Sequence, residues 1–316
     1  CLAGLLVAMS LSAQTFQPRL NFGVKFEPVN KVLHGAGQSD EFAFAGYTEV
    51  MGPERHPAMY MEYTTADDTP EEVREELEKY LRIFSHYPQG VALQLGLSMT
   101  RGGNGYSAAV ANGTHDAGLM ELGRYLDSLD RKVFLRIGYE ANGFWNNYNA
   151  PDYREAFRHV TDIMRAASDS IATVWCLHPI TGINDMMTYY PGDAYVDWWA
   201  IDWFQPSFIQ NNNNARFLDS AEVRQKPVMI GEATPTELGL GNGQQSWDDW
   251  YDIFFQRIRN EPVIKAFCYI NRDWAYLGGL PNWGNSKLQD DTVVACLYRQ
   301  EMDNGLYQHL EPVPAQ

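Results

Sequence analysis

Basic residues and cysteine are both scarce in this chain. Its 316 residues carry 24 Lys and Arg against 40 Asp and Glu, a formal charge of −16. A surface that holds nucleic acid or an anionic membrane needs a basic face, so the composition argues against both partners. The 4 cysteines form no C-x-x-C pair, and neither a zinc site nor a disulfide framework is indicated. Cys176, Cys268 and Cys296 sit in apolar stretches and read as buried free thiols. H-E-x-x-H and G-x-S-x-G are missing, which removes zincin and nucleophile-elbow chemistry. The glycine-rich RGGNGYS and GLGNGQQS lack the Lys-Ser/Thr of a phosphate-binding loop. No metal and no cofactor is expected.

After Gln14 no apolar run is long enough to span a bilayer. Residues 1–13, CLAGLLVAMSLSA, are apolar, of signal-peptide length, and end in small residues. They read as the remnant of an export signal cleaved after Ala13, which would place the mature chain in the periplasm or outside the cell. A lipidated Cys1 is the rival reading, disfavoured because Leu-Ala-Gly-Leu-Leu follows it instead of a polar tether. Residues 14–316 are then expected to form one domain, and a monomer.

What is present is an alternation. Apolar, β-rich runs occur at 31–35, 58–63, 91–98, 132–140, 171–178, 196–204, 227–232 and 263–271. Between several of them the apolar spacing turns helical. Thr69 and Glu72 form a capping box before Val73 and Leu77; Tyr153, Phe157, Val160 and Met164 share a face; so do Trp250, Phe254 and Ile258. The connections after the first strand and after His178 show a weaker period, and QNNNN (210–214) reads as a polar loop. Strands alternating with helices imply parallel pairing through right-handed crossovers, and eight units of this length predict an α/β fold, a single (β/α)8 barrel. An open doubly wound sheet competes, but HGAGQSD after the first strand is a poor nucleotide-binding fingerprint.

Barrel active sites lie at the C-terminal strand ends, where this chain places Glu140, His178, Asp202, Trp203, Glu232, Tyr269 and Asn271. Strand alternation puts Arg136 and Glu140 on one side of the fourth strand, facing the axis, and Glu232 on the side of Val228 and Ile230. Strands four and seven face each other across the mouth, so Glu140 and Glu232 are expected to converge. Two facing carboxyl groups cleave glycosidic bonds: one donates a proton to the leaving oxygen, the other attacks the anomeric carbon or activates water. A separation of about 5–5.5 Å selects the retaining route and roughly 6.5–9.5 Å the inverting one. Phe144, Trp145, Tyr148, Trp203, Trp274 and Trp283 would rim the cleft as faces for sugar rings, with Asn142 and Asn271 bonding hydroxyls. His34, His178, Glu62, Gln94 and Asp202 are further candidates for sugar contacts, and Arg136 for holding a carboxylate charge.

RIGYEANGFWNNY (136–148), VWCLHP (174–179), YPGDAYVDWWAIDWF (190–204) and KPVMIGEAT (226–234), in this order and spacing, resemble the retaining glycoside hydrolases of clan A, most closely family 26. That group includes β-mannanases, β-1,3-xylanases and mixed-linkage glucanases. The resemblance implies Glu140 as acid/base and Glu232 as nucleophile, with Asn142, Gly143 and Trp145 matching the residues after the acid/base. Tyr139 stands where the family often has His. Trp203-Phe204 stands where a Tyr commonly orients the nucleophile, leaving Tyr269 as its expected substitute. The expectation is an exported, retaining endo-hydrolase of β-linked polysaccharide. A non-catalytic glycan-binding barrel and an inverting enzyme are the alternatives.

Overall fold

The computed structural model describes residues 16–37, 41–85, 90–277 and 280–310. All eight expected strands form, with their ends moved by a few residues. They are β1 Val32–Gly37, β2 Met59–Thr65, β3 Ala92–Ser98, β4 Val133–Ile137, β5 Ile171–Leu177, β6 Trp198–Trp203, β7 Val228–Ala233 and β8 Ile264–Ile270. Each pairs in parallel with the next, and β8 returns to β1 in the register Leu33↔Ala266 to Gly37↔Ile270, closing the barrel. Both faces of such a sheet are covered, which is why the strands read as nearly continuous apolar runs.

The helices α1 Glu41–Met51, α2 Pro70–Ser85, α3 Asp116–Ser128, α4 Ala150–Ala167, α5 Ile183–Met187, α6 Asn212–Val223 and α7 Asp252–Asn260 lie in the crossovers, and α8 Thr292–Met302 follows β8. The capping box forms as expected: Thr69 N–H donates to Glu72 Oε2 at 2.8 Å and Glu72 N–H to Thr69 Oγ1 at 3.3 Å. Tyr153, Phe157, Val160 and Met164 are fully buried, as are Trp250, Phe254 and Ile258. A π turn at Trp247–Tyr251 precedes α7. Leu33, Met59, Phe134, Trp198 and Met229 fill the lumen, while Leu135, Trp199, Ile230 and Phe267 pack between sheet and helices. The N-terminal segment covers the lower lumen, where Trp198 Nε1–H donates to Lys25 O at 2.8 Å and Phe26 packs edge-on to Phe134.

Several expectations change. The connection after His178 holds only the five-residue α5. QNNNN is no idle loop: Asn211 caps α6 by accepting from Asn214 N–H, and buried Asn214 accepts from Trp203 Nε1–H at 3.0 Å. Cys176 and Cys268 are buried free thiols, as expected, whereas Cys296, on α8, is only half-buried. Residues 1–13, with the cleavage reading, lie outside the described residues. Among the described residues no helix is long and apolar enough to cross a membrane.

One irregularity decides the site. Between Ile230 and Ala233 strand β7 spends three steps where β6 (Ile201 to Trp203) and β8 (Phe267 to Tyr269) spend two. This bulge breaks the alternation. Val228 and Ile230 point to the helices, yet Glu232 turns into the lumen, contrary to the side alternation gave it. Gly231 is required beneath it, because a Cβ there would lie 2.6 Å from Asp202 Oδ1 and 2.9 Å from Arg136 Nη1. Gly231→Ala is therefore expected to destabilise the barrel by roughly 1–3 kcal/mol, as overpacking does. A urea denaturation midpoint equal to wild type would contradict this.

Candidate active site

Glu140 is placed by a turn, not by its strand. The ladder of β4 ends at Ile137; Gly138 and Glu140 then take left-handed backbone, φ 56° and 50°. Left-handed geometry at a glutamate is uncommon and costs energy, so the surroundings must enforce it. Asn146 does so, donating from Nδ2 to the carbonyls of Tyr139 and Glu140 at 3.0 and 3.1 Å, and Gly143 N–H bonds Glu140 O at 2.8 Å. Trp145 Nε1–H reaches Glu140 Oε2 at 2.7 Å.

Arg136 lies wholly buried below, with Nη2 on Glu232 Oε1 at 2.7 Å and Nη1 on the Asp202 carboxylate at 3.2 Å. Cys176 Sγ donates to Asp202 Oδ2 at 3.3 Å. Burial, with the charges of Asp202 and Glu232, holds the Glu140 pKa well above the ordinary carboxylate value. Burial also pushes Asp202 up to about 8 against the pull of Arg136. A carboxyl group whose pKa is raised and one paired to a guanidinium thus share one cleft. The cleft measures ≈ 510 Å³ and is lined also by Phe144, Trp145, His178, Phe204, Phe208, Trp274 and Trp283. A second cavity on the same face is bordered by Tyr63, Tyr139, Thr65, Ser98, Asp68 and Glu76.

The expected residues divide. Glu140, Glu232, Trp145, His178, Trp274, Trp283 and Phe144 line the cleft. Arg136 and Asp202 support its floor, and Tyr139 stands over Arg136, 5.0 Å from guanidinium carbon to ring centre. Gln94 lies inside the lumen and donates to Gly231 O at 2.9 Å, bracing the bulge.

The others serve the scaffold. Asn142 spends both ends of its amide on the main chain of His178 and on Thr181. Asn271 bonds Gln289 and the Leu288 N–H. Trp203 and Tyr269 point outward among the helices, Tyr269 bonding Tyr251 and Ser286 O, so it cannot be the partner of Glu232. His34 is buried against Tyr47 and His309. Glu62 is sealed against Tyr60 on the helix side, and Tyr148 receives the Met99 N–H within the core. Sequence reasoning missed Tyr63, Asn146, Phe204 and Phe208. Alternation along β2 and β6 carried the signal for Tyr63 and Phe204; the roles of Asn146 and Phe208 arise from loop geometry.

His178 is nearly fully buried, edge-on to Trp145 and Phe208 and stacked on Phe204, with no protein partner for Nδ1 among the described residues. Burial lowers its pKa to about 4. The folded pKa lies below the unfolded one, so the contribution to stability is present above about pH 6.5 and is lost as pH falls through the folded value. Between pH 7 and 4.5, wild type is expected to lose up to ~2.5 kcal/mol more stability than His178→Gln. Parallel urea-unfolding curves across that range would refute the buried neutral imidazole.

Comparison with known proteins gives this geometry its context. No family model matches the chain. A β-1,3-xylanase, TXYA, from a Vibrio species is 30% identical over 323 residues, covering 91% of this chain and 68% of the relative. A β-1,3-xylanase from an Alcaligenes species is 30% identical over 248 residues, covering 69% of this chain and 51% of the relative. The chain thus spans about two thirds of one relative and half of the other. Among solved structures, the catalytic domain of a family 26 endo-β-1,4-mannanase from Bacillus sp. JAMB-750 superposes with a TM-score of 0.62 at 16% identity, covering 86% of both chains. A Cellulomonas fimi endo-β-1,4-mannanase gives 0.63 at 15%, covering 89% of this chain and 72% of that one; these two establish the barrel alone. With the xylanase identity extending over 91% of the sequence, the chain belongs to glycoside hydrolase family 26.

Proposed function

We propose that this glycoside hydrolase is a retaining endo-enzyme acting on neutral β-linked polysaccharide, with Glu140 as acid/base and Glu232 as nucleophile. The observation that supports the reading most is the contrast between the two glutamates. Partial burial and acidic neighbours hold the Glu140 pKa well above the ordinary carboxylate value, which favours the protonated form a proton donor needs. Glu232 sits on the Arg136 guanidinium at 2.7 Å, the environment of an ionised attacking group. Glu140 would protonate the leaving oxygen while Glu232 bonds the anomeric carbon. Water, deprotonated by Glu140, would then release the sugar and restore both groups. Phe144, Trp274 and Trp283 offer ring faces along the cleft, and His178 lines it beside them. The names of the relatives make β-1,3-xylan the first substrate to try, with β-1,4-mannan and mixed-linkage glucan beside it. Polysaccharides of this size do not enter cells, which fits export through the apolar residues 1–13.

Glu140→Ala and Glu232→Ala are each expected to lower turnover by roughly a thousandfold or more with unchanged circular dichroism. Near wild-type release of reducing ends by either variant would refute its role. Proton NMR of fresh product is expected to show the β-anomer first; initial α-anomer would make the enzyme inverting. Glycan binding without new reducing ends would favour the non-catalytic barrel. Trp274→Ala is expected to raise KM more than it lowers kcat on long substrates, through the loss of a stacking face. Proteolytic processing is checked by sequencing the mature N-terminus, expected at Gln14.

A further inference from the structure

Tyr63 ends the lumen row of β2 that begins with Met59 and Met61. Its register partner on β3 is Gly96, where a Cβ would stand 2.7 Å from the Tyr63 ring and 3.1 Å from the Tyr139 ring. Because position 96 has no side chain, the Tyr63 ring can lie across β3 and reach β4. There the Arg136 guanidinium carbon is 5.6 Å from the ring centre, and Tyr139 packs edge-on at 5.2 Å. Arg136 Nη2 consequently meets two oxygens, the Tyr63 hydroxyl at 3.3 Å and Glu232 Oε1 at 2.7 Å.

The direction of these bonds is fixed by chemistry. A guanidinium N–H only donates, so the Tyr63 oxygen accepts from Arg136 and its own proton needs an acceptor. Met61 Sδ at 3.6 Å is a weak one; the Glu232 carboxylate, held on the same Arg136 Nη2, is the strong acceptor beside it. Burial first, then the charge of Glu232, push the Tyr63 pKa well up, so the phenol keeps its proton. The rings lining the cleft itself, Phe144, Trp145, Phe204, Phe208, Trp274 and Trp283, carry no hydroxyl.

We infer that Tyr63 is a positioning residue for Glu232: seated on Arg136, its hydroxyl donates to the carboxylate and holds the orientation from which that group attacks. The inference rests on the reading of Glu232 as nucleophile. It makes Gly96 part of the same device, since a side chain there would displace the ring.

Tyr63→Phe tests it, because phenylalanine keeps the ring over Gly96 and removes one oxygen. On the best substrate kcat is expected to fall roughly 10- to 100-fold, the range for one hydrogen bond to a charged group, with little change in KM. The acidic limb of kcat/KM is expected to move to higher pH, since a carboxylate deprived of a donor is protonated more readily. An effect on packing alone would not move that limb. Independently of any substrate, the Glu232 side chain is followed by carbon-13 NMR titration in labelled protein, assigned by its loss in Glu232→Gln. Its midpoint is expected to rise in Tyr63→Phe. Unchanged kcat with an unchanged acidic limb, or an unchanged midpoint, overturns the role of Tyr63. Failure of wild type to cleave any glycan overturns the proposed function instead, and the titration then decides Tyr63 alone.

Discussion

A single buried cation organises this barrel. Arg136 has no exposed surface, and a guanidinium in a dry lumen is costly unless its charge and donors are met. Glu232 and Asp202 meet them from two other strands, at 2.7 and 3.2 Å. The site nevertheless holds three carboxyl groups near one positive charge, and three anions cannot be balanced there. The surplus favours retained protons: burial raises Asp202 to about 8, and burial with its acidic neighbours holds Glu140 well above its ordinary range. Glu232 has the shortest contact with Arg136 and the strongest claim to the charge. The proposed division of labour between the glutamates therefore starts at an arginine that need not touch substrate.

Backbone geometry makes that contact possible. A regular β7 would have sent Glu232 outward with Val228 and Ile230; the added residue in the ladder turns it in beside a glycine too small to collide with Arg136 or Asp202. Glu140 is presented by the opposite means, a left-handed turn just past the end of β4, locked by Asn146. In both cases the regular strand stops short of the functional group, and an irregular residue aims it. Energy spent on such local strain is supplied by the packing of the strands that carry it.

This also explains how far the sequence could be read. The barrel was legible because apolar runs and helical periods alternate eight times. The two glutamates were legible because a carboxyl group closing an apolar strand is conspicuous. The bulge was not, since nothing in KPVMIGEAT distinguishes a regular strand from one with an added residue except Gly231, which has other uses. His34, Trp203 and Tyr269 fail for a simpler reason: alternation places each on the helix side of its strand, with Ala36, Ile201 and Phe267. Applied to every strand end, that rule removes them and brings in Tyr63 and Phe204. Asn142 and Asn271 could not have been sorted this way. Each lies in a connection, and only coordinates reveal that its amide is already committed to neighbouring main chain or side chains.

The charge count bears on how one glutamate could serve first as acid and then as base. In the proposed double displacement, Glu232 becomes an ester and loses its charge. One of the fields that holds the proton on Glu140 disappears with it. With that field weakened, Glu140, having passed its proton to the leaving group, is better able to remain ionised until it accepts one from water. Hydrolysis restores the Glu232 charge and with it the preference of Glu140 for a proton. A fixed cation surrounded by an excess of carboxyl groups can thus alternate the proton affinity of Glu140 through the covalent state of Glu232, without a conformational change.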